Sequence, residues 1–110
     1  MSKFSEFDLA INEYCDHIVA NYASWGDQSE IRKQMIADFT VGIEAGRKFI
    51  KITQGRTGSR SVHSFVVIGD QGKFKHGDIL KAASWRAPAK NFPRGNVLNG
   101  TYENITWCGA

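Results

Sequence analysis

The stretch Ser61-Val62-His63-Ser64-Phe65-Val66-Val67-Ile68 is rich in β-branched and aromatic residues and largely apolar. An apolar run of this length, bounded by turn residues, is typical of a strand in the middle of a sheet. A polar, glycine-containing segment, residues 54–60, precedes it, and Asp70-Gln71-Gly72 follows as a turn. This region therefore predicts a β-structure for the second half of the chain.

Further strand candidates lie on both sides of this run. Residues 48–53 contain Phe49, Ile50 and Ile52 between lysines and a threonine, and residues 79–85 follow another turn. Asn99-Gly100 is a strong signal for a two-residue hairpin turn that joins residues 97–98 to residues 101–102. Residues 105–107 complete the series as a last strand. The connections after residue 53 are too short for helical crossovers, which favours antiparallel pairing.

The first half of the chain shows helical periodicity instead. Residues 5–23 predict an amphipathic helix whose apolar residues recur at three- and four-residue steps: Phe4, Phe7, Ile11, Tyr14, Ile18 and Tyr22. Trp25-Gly26-Asp27 breaks this pattern. A second helix is predicted to extend to about Ala45, with Gly46 as its C-cap and with the stripe Ile31, Met35, Phe39 and Ile43.

These elements predict one α+β domain over residues 1–110. Residues 1–45 form its helical half and residues 46–110 its β-rich half. Two N-terminal amphipathic helices pack on a mostly antiparallel sheet of four or five strands. The alternative is a second half that closes into a small barrel.

The charge is distributed unevenly between the two halves. Residues 1–45 contain three basic and eight acidic residues, which gives a net charge of −5. Residues 46–110 contain eleven basic and three acidic residues, which gives a net charge of +8. Such asymmetry indicates either a polarised surface that attracts an anionic partner or two halves that neutralise each other where they pack.

The densest basic segment, residues 85–96, contains Pro88 and Pro93, which rule out a regular helix, and is here called the proline-bracketed segment. It contains three cations at four-residue spacing, Arg86, Lys90 and Arg94, and two aromatic residues, Trp85 and Phe92. Arginine and lysine bind phosphate, and exposed aromatic rings stack on bases. The structural alternative is that the two aromatic residues are core anchors and the cations are solvated charges.

A second basic loop carries Arg56 and Arg60 and leads to His63. If both loops lie at one edge of the sheet, they form a rim that attracts anions. His63 is also the one candidate for a catalytic base, because serines flank it, but no sequence signal places an acid behind it. The better interpretation of those serines is structural.

The chain contains no signature of a metal site or a cofactor, and we predict neither. Cys15-Asp16-His17 is compact, but successive helical residues point in different directions. Cys15 is better explained as a core residue, and Cys108 as a second reduced thiol. No motif predicts enzymatic activity.

Several strings of the second half resemble small accessory proteins of tailed bacteriophages. The resemblance rests on residues 61–67, 73–92, 94–97 and 105–110. It implies a protein made in the host bacterial cytoplasm that acts by binding. The sequence agrees with this location, because it shows no secretory signal and no apolar run approaching the roughly 18 residues that span a membrane.

The sequence therefore predicts a non-catalytic module that binds nucleic acid or a phosphate-bearing ligand through its basic β half. The alternative is an inhibitor or modulator of a host or defence protein, in which the acidic helices mimic nucleic acid or the aromatic loop enters a pocket. Self-association is a further expectation, since a sheet of four or five strands has edges that something must cover.

Overall fold

A computed structural model describes residues 6–24, 29–90, 92–107 and Gly109. Two helices precede five strands: α1 (Glu6–Ser24), α2 (Glu30–Asp38), β1 (Thr40–Ala45), β2 (Phe49–Arg56), β3 (Ser59–Val67), β4 (Asp78–Lys81) and β5 (Gly95–Asn96). The strands form one antiparallel sheet in chain order, which confirms the α+β class. The barrel alternative is wrong, because no pairing joins β1 to β5 in the described residues. The predicted break at residues 25–27 lies outside them.

The main core lies between α1 and one face of the sheet. Of the predicted α1 stripe, Ile11, Tyr14, Ile18 and Tyr22 are buried there and Phe7 is half-buried, whereas Phe4 lies outside the described residues. Alternate residues of the central strands meet them, since successive side chains of a strand point to opposite faces. This core is formed by Ala10, Ile11, Tyr14, Cys15, Ile18, Tyr22, Phe39, Ile50, Ile52, Val66, Ile79, Val97 and Ile105.

The second predicted helix is wrong beyond Asp38, because residues 40–45 form strand β1. Thr40, Val41 and Ile43 are β-branched and favour a strand, and Gly42 is unfavourable inside a helix. Val41 packs against the main core, whereas Ile31, predicted to face it, is 73% exposed. The shortened α2 contributes only half-buried residues to the packing, so α1 is the one helix that covers the sheet.

The opposite face of the sheet, here called the helix-free face, has a smaller core of its own. Phe65, Val67, Phe74 and Leu80 are buried in it, and Phe49, Val62 and Ala82 pack at its margin. No helix of the described residues contributes to this cluster. The face is therefore partly open to solvent, and its aromatic residues lie close to the surface.

Two predicted elements at the C-terminal end differ from the structure. The turn around Asn99-Gly100 is present, but it follows β5 directly, and residues 97–100 form the turn itself. Residues 105–107 make only an isolated bridge between Thr106 and Gly109 rather than a strand. Within the described ranges, neither helix is long and apolar enough to cross a membrane.

Candidate functional site

A group of cations at the helix-free face lines a cavity of about 290 Å³. The cavity lies beside Phe49 and Phe65 and has one carboxylate, Glu44, at its margin. Four basic residues line it, and we call this set the cationic pocket: Arg47, Lys48, Lys51 and Arg86. Two come from the turn between β1 and β2, one from β2 and one from the proline-bracketed segment.

Strand alternation explains why Lys51 points into this pocket. Lys51 pairs directly with Phe65 across β2 and β3, and Phe49 pairs with Val67. Paired residues share a face, so Lys51 lies on the same face as the smaller core. Its position, flanked by aromatic residues, leaves its aliphatic stem against apolar surface and its ammonium group at the rim.

Backbone hydrogen bonds hold the proline-bracketed segment beside β4. The N–H of Ala89 donates to the Lys81 carbonyl at 2.7 Å, and the N–H of Ala83 donates to the Ala87 carbonyl at 3.0 Å. The Ser84 hydroxyl accepts from the N–H groups of Arg86 and Ala87 at 3.3 and 3.2 Å. These bonds fix a tight loop that carries Trp85 and Arg86 to the pocket. The Asn91 position within this segment lies outside the described residues.

Trp85 and Lys90 both belong to this surface. The Lys51 ammonium nitrogen lies 4.7 Å from the centroid of the Trp85 ring, and the Lys90 nitrogen lies 5.7 Å from that of Phe49. Such cation–π contacts hold the two lysines near the aromatic rings without neutralising them. Trp85 is 51% exposed, so ring area remains accessible to a ligand. The alternative that Trp85 is a core anchor does not fit this exposure.

Arg94 and Phe92, the other predicted residues of the segment, lie at a different place. The Arg94 guanidinium carbon lies 4.2 Å from the centroid of the Phe92 ring. Arg94 lines a separate cavity together with the carboxylates of Asp78 and Glu103. Phe92 is 54% exposed. The acidic neighbours make this second cavity a poor site for phosphate, so we do not assign Arg94 to the cationic pocket.

The second basic loop is a tight hairpin turn at the other end of β2, so the predicted common rim does not form. Arg56 lies five residues along β2 from Lys51, or roughly 17 Å. Arg56 lines a cavity on the α1 side with Tyr22 and Trp107. Arg60 lies on the helix-free face, where its Nη1 donates to Thr40 Oγ1 at 2.6 Å and its Nη2 to Thr53 Oγ1 at 3.1 Å.

His63 lies in the interior, with 2% of its surface exposed. The register of β2 and β3 shifts between Ile52 and Thr53, so that no residue of β2 lies opposite His63 in the strand pairing. This bulge turns both His63 and Ser64 towards Tyr14. The Nε2 atom is 2.7 Å from the Thr106 carbonyl oxygen, which can only accept, so Nε2 carries the proton. The Nδ1 atom then accepts from the Ser64 hydroxyl at 2.8 Å.

These contacts assign His63 a structural role. Both ring nitrogens are engaged, and the side chain is buried. The buried, doubly bonded imidazole does not support the interpretation of His63 as a catalytic base. Instead, the network of Tyr14, His63 and Ser64 joins α1 to β3 and, through Thr106, to the C-terminal segment.

The buried imidazole predicts that acid destabilises the fold. Burial lowers the pKa of His63 from its ordinary 6.5, and the Thr106 hydrogen bond opposes this only in part. Below about pH 6.5 the unfolded chain therefore binds a proton that the folded chain does not, and stability falls as the pH falls. We expect the drop in melting temperature between pH 7.5 and pH 5 to be smaller for His63→Gln than for the wild type. Equal drops would contradict this assignment.

Cys15 is buried in the main core, as predicted, and burial raises the pKa of its thiol to about 11. A thiol with this pKa is protonated near neutral pH and is a poor nucleophile. Cys108 lies outside the described residues. No group of three or more histidine, cysteine, aspartate and glutamate side chains within the described ranges is placed to hold a metal ion.

The cations of the pocket are not neutralised by the acidic helix. None of its four basic residues forms an ion pair with any residue that the structure describes. The helical carboxylates of Glu6, Glu13 and Asp16 are exposed, and α1 covers the opposite face of the sheet. The two charged surfaces are thus separated by the sheet, which favours a polarised molecule over internal neutralisation.

The sequence comparison identifies the family but carries no statement about activity. A family model described as a family of unknown function, DUF7717, matches residues 3–110. No curated protein and no solved structure matches the chain. The resemblance to phage proteins stays a prediction. Because the match covers nearly the whole chain, the protein belongs to the DUF7717 family.

Proposed function

We propose that this protein is a non-catalytic module that binds single-stranded nucleic acid on its helix-free face. The observation that supports the proposal best is the cationic pocket itself, in which four basic side chains that form no ion pair with the described residues surround a cavity beside the half-exposed ring of Trp85. Phosphates of a strand would contact Lys51 and Arg86, with Arg47 and Lys48 at the turn. Lys90 would extend the same surface.

The aromatic residue favours a single strand over a duplex. A base can stack on an indole ring only when it is unpaired or splayed out of a helix, and such stacking contributes about 1–3 kcal/mol per base. Trp85 is positioned for this by the tight loop at Ser84, with Lys51 next to it. The surface has no groove-reading helix, since the helix-free face carries none in the described residues.

The test is an anisotropy titration of a labelled single-stranded oligonucleotide at several salt concentrations. Each phosphate contact releases a counterion, so affinity is expected to fall about 10-fold or more between 50 and 200 mM salt. A duplex of the same sequence serves as the comparison and is expected to bind more weakly. No binding of either DNA or RNA strands at 50 mM salt would end the proposal.

The second candidate is a protein-binding inhibitor that uses the exposed carboxylates of α1, in particular Glu6, Glu13 and Asp16. A surface of this kind attracts a basic protein partner. Purification from bacterial lysate with and without nuclease distinguishes the two proposals. A stoichiometric protein that survives nuclease and is lost on reversing these three carboxylates favours the second. The phage resemblance implies that the protein would perform either function in the host bacterial cytoplasm.

A further inference from the structure

The two edges of the sheet are protected to different extents. The β5 edge is only two residues long, and the following turn folds back on it, with the Asn96 N–H donating to Thr101 Oγ1 at 2.9 Å. The β1 edge is six residues long and lacks the proline and lysine residues that usually block pairing. Most of β1 is exposed. It is therefore the edge on which another strand can add.

The hydrogen-bond pattern identifies which groups of β1 face outward. The Gly46 N–H donates to the Phe49 carbonyl at 2.9 Å, which sets the alternation of bonded pairs between β1 and β2. The backbone groups of Glu44, Gly42 and Thr40 then point to β2. Those of Val41, Ile43 and Ala45 point away from the sheet, and none of them has a partner in the part of the chain that the structure describes.

We propose that β1 pairs antiparallel with β1 of a second copy of this chain, about a two-fold axis at Ile43. This register pairs Ile43 with Ile43 of the second copy and Val41 with Ala45, so every outward-facing residue gains its hydrogen bonds. All three side chains lie on the α1 side of the sheet, since they pair with Ile50, Ile52 and Gln54. Ile43, now 46% exposed, becomes buried.

The helix-free side of the same register is complementary in charge. It places Gly42 opposite Glu44 of the second copy, at the close spacing of about 4.5 Å between Cα atoms that non-bonded antiparallel pairs have. Gly42 has no side chain to obstruct the approach, and Arg60 Nη2 lies only 3.2 Å from the position of a Cβ atom on Gly42. Glu44 of the second copy therefore meets the guanidinium group of Arg60.

The ion pairs distinguish this register from non-specific edge pairing. Glu44 makes no ion pair with the described residues of its own chain, and Arg60 is bonded only to neutral groups, namely Thr40, Thr53 and the Gly55 carbonyl. The symmetry supplies the pair twice. Because two short strands bury a small area, the dimer is expected to be weak and to depend on concentration.

Sedimentation equilibrium of the intact chain, from roughly 10 to 300 µM, tests the proposal. The wild type is expected to dimerise within this range. We expect Glu44→Arg and Arg60→Glu each to raise the dimer dissociation constant about 10-fold or more. The double variant is expected to recover most of the wild-type dimer affinity. Glu13→Arg, on exposed α1, is the control for the change of charge and is expected to have no effect.

Thermal melts of each variant separate loss of dimer from loss of fold, because Arg60→Glu also removes hydrogen bonds within its own chain. Recovery of dimerisation in the double variant supports the proposed register, since a merely unfolded single variant has no reason to recover. A wild type that stays monomeric at 300 µM overturns the proposal. So does a dimer whose dissociation constant is unchanged in both single variants.

Discussion

Replacing Lys51, Arg86 and Lys90 together with glutamate is expected to lower the affinity for a single-stranded oligonucleotide by at least about 100-fold at low salt. All three side chains lie on the helix-free face beside Phe49 or Trp85. The reversal removes three sites of phosphate contact and adds repulsion at each. None of the three side chains forms an ion pair with the described residues. We therefore expect the variant to remain folded.

The matched control reverses three other exposed lysines, Lys33, Lys75 and Lys81, none of which lines the pocket. The two variants have the same net charge, so the control measures the long-range effect of charge alone. We expect the dissociation constant of the control to rise by less than about a tenth of the factor found for the pocket variant, measured by anisotropy at 50 mM salt. Equal losses in the two variants would show that binding does not depend on this face.

Replacing Phe65 with alanine is expected to cost about 3–5 kcal/mol of the free energy of unfolding, the largest loss of stability we predict. Phe65 is only 3% exposed and packs with Val67, Phe74 and Leu80. Its ring also lies 6.2 Å from that of Phe49, edge to face. Truncation leaves a cavity next to the cationic pocket. The backbone of β3 cannot move to close it, because β3 is paired with β2 on one side and β4 on the other.

Trp85→Ala is the informative comparison, because Trp85 is as aromatic as Phe65 but half exposed. We expect it to cost less than about 1 kcal/mol of stability and to weaken oligonucleotide binding by about 5-fold or more, from lost stacking. Urea unfolding gives the first quantity and anisotropy the second. A Trp85→Ala variant as unstable as Phe65→Ala would make Trp85 a core anchor instead.

The elements with an unambiguous period were predictable from the sequence. The α1 stripe has a helical period, the apolar run of β3 is rich in β-branched residues and bounded by turns, and the structure has both elements. The residues after Asp38 allow two interpretations, because Phe39 and Ile43 fit a helical step of four and a strand step of two equally well. Local propensity decided this case, since Thr40, Val41 and Gly42 all disfavour a helix.

The candidate site was predictable only in part. Trp85, Arg86 and Lys90 lie close together in sequence, which predicted their grouping, but Phe92 and Arg94 of the same segment lie at a different place. Lys51 was missed because its contribution depends on pairing with Phe65. The available signal was strand alternation, which places Lys51 on the same face as Phe49.

The misplaced arginines have a similar explanation. Arg56 and Arg60 are four residues apart, but the hairpin turn sends one to each face of the sheet. The role of His63 depends on a bulge, which adds one residue to β3 and turns two consecutive side chains towards Tyr14. Composition alone carries no signal for such a shift.

The most direct test of the central claim is a titration of ¹⁵N-labelled protein with a single-stranded oligonucleotide, followed by amide chemical shifts. If the helix-free face binds the strand, the largest shifts will come from residues 47–51 and 84–90, with the Trp85 indole N–H among them. The amides of α1 will remain nearly unchanged, because the sheet separates them from this face. Saturable shifts concentrated in α1, or none at 50 mM salt, would contradict the account.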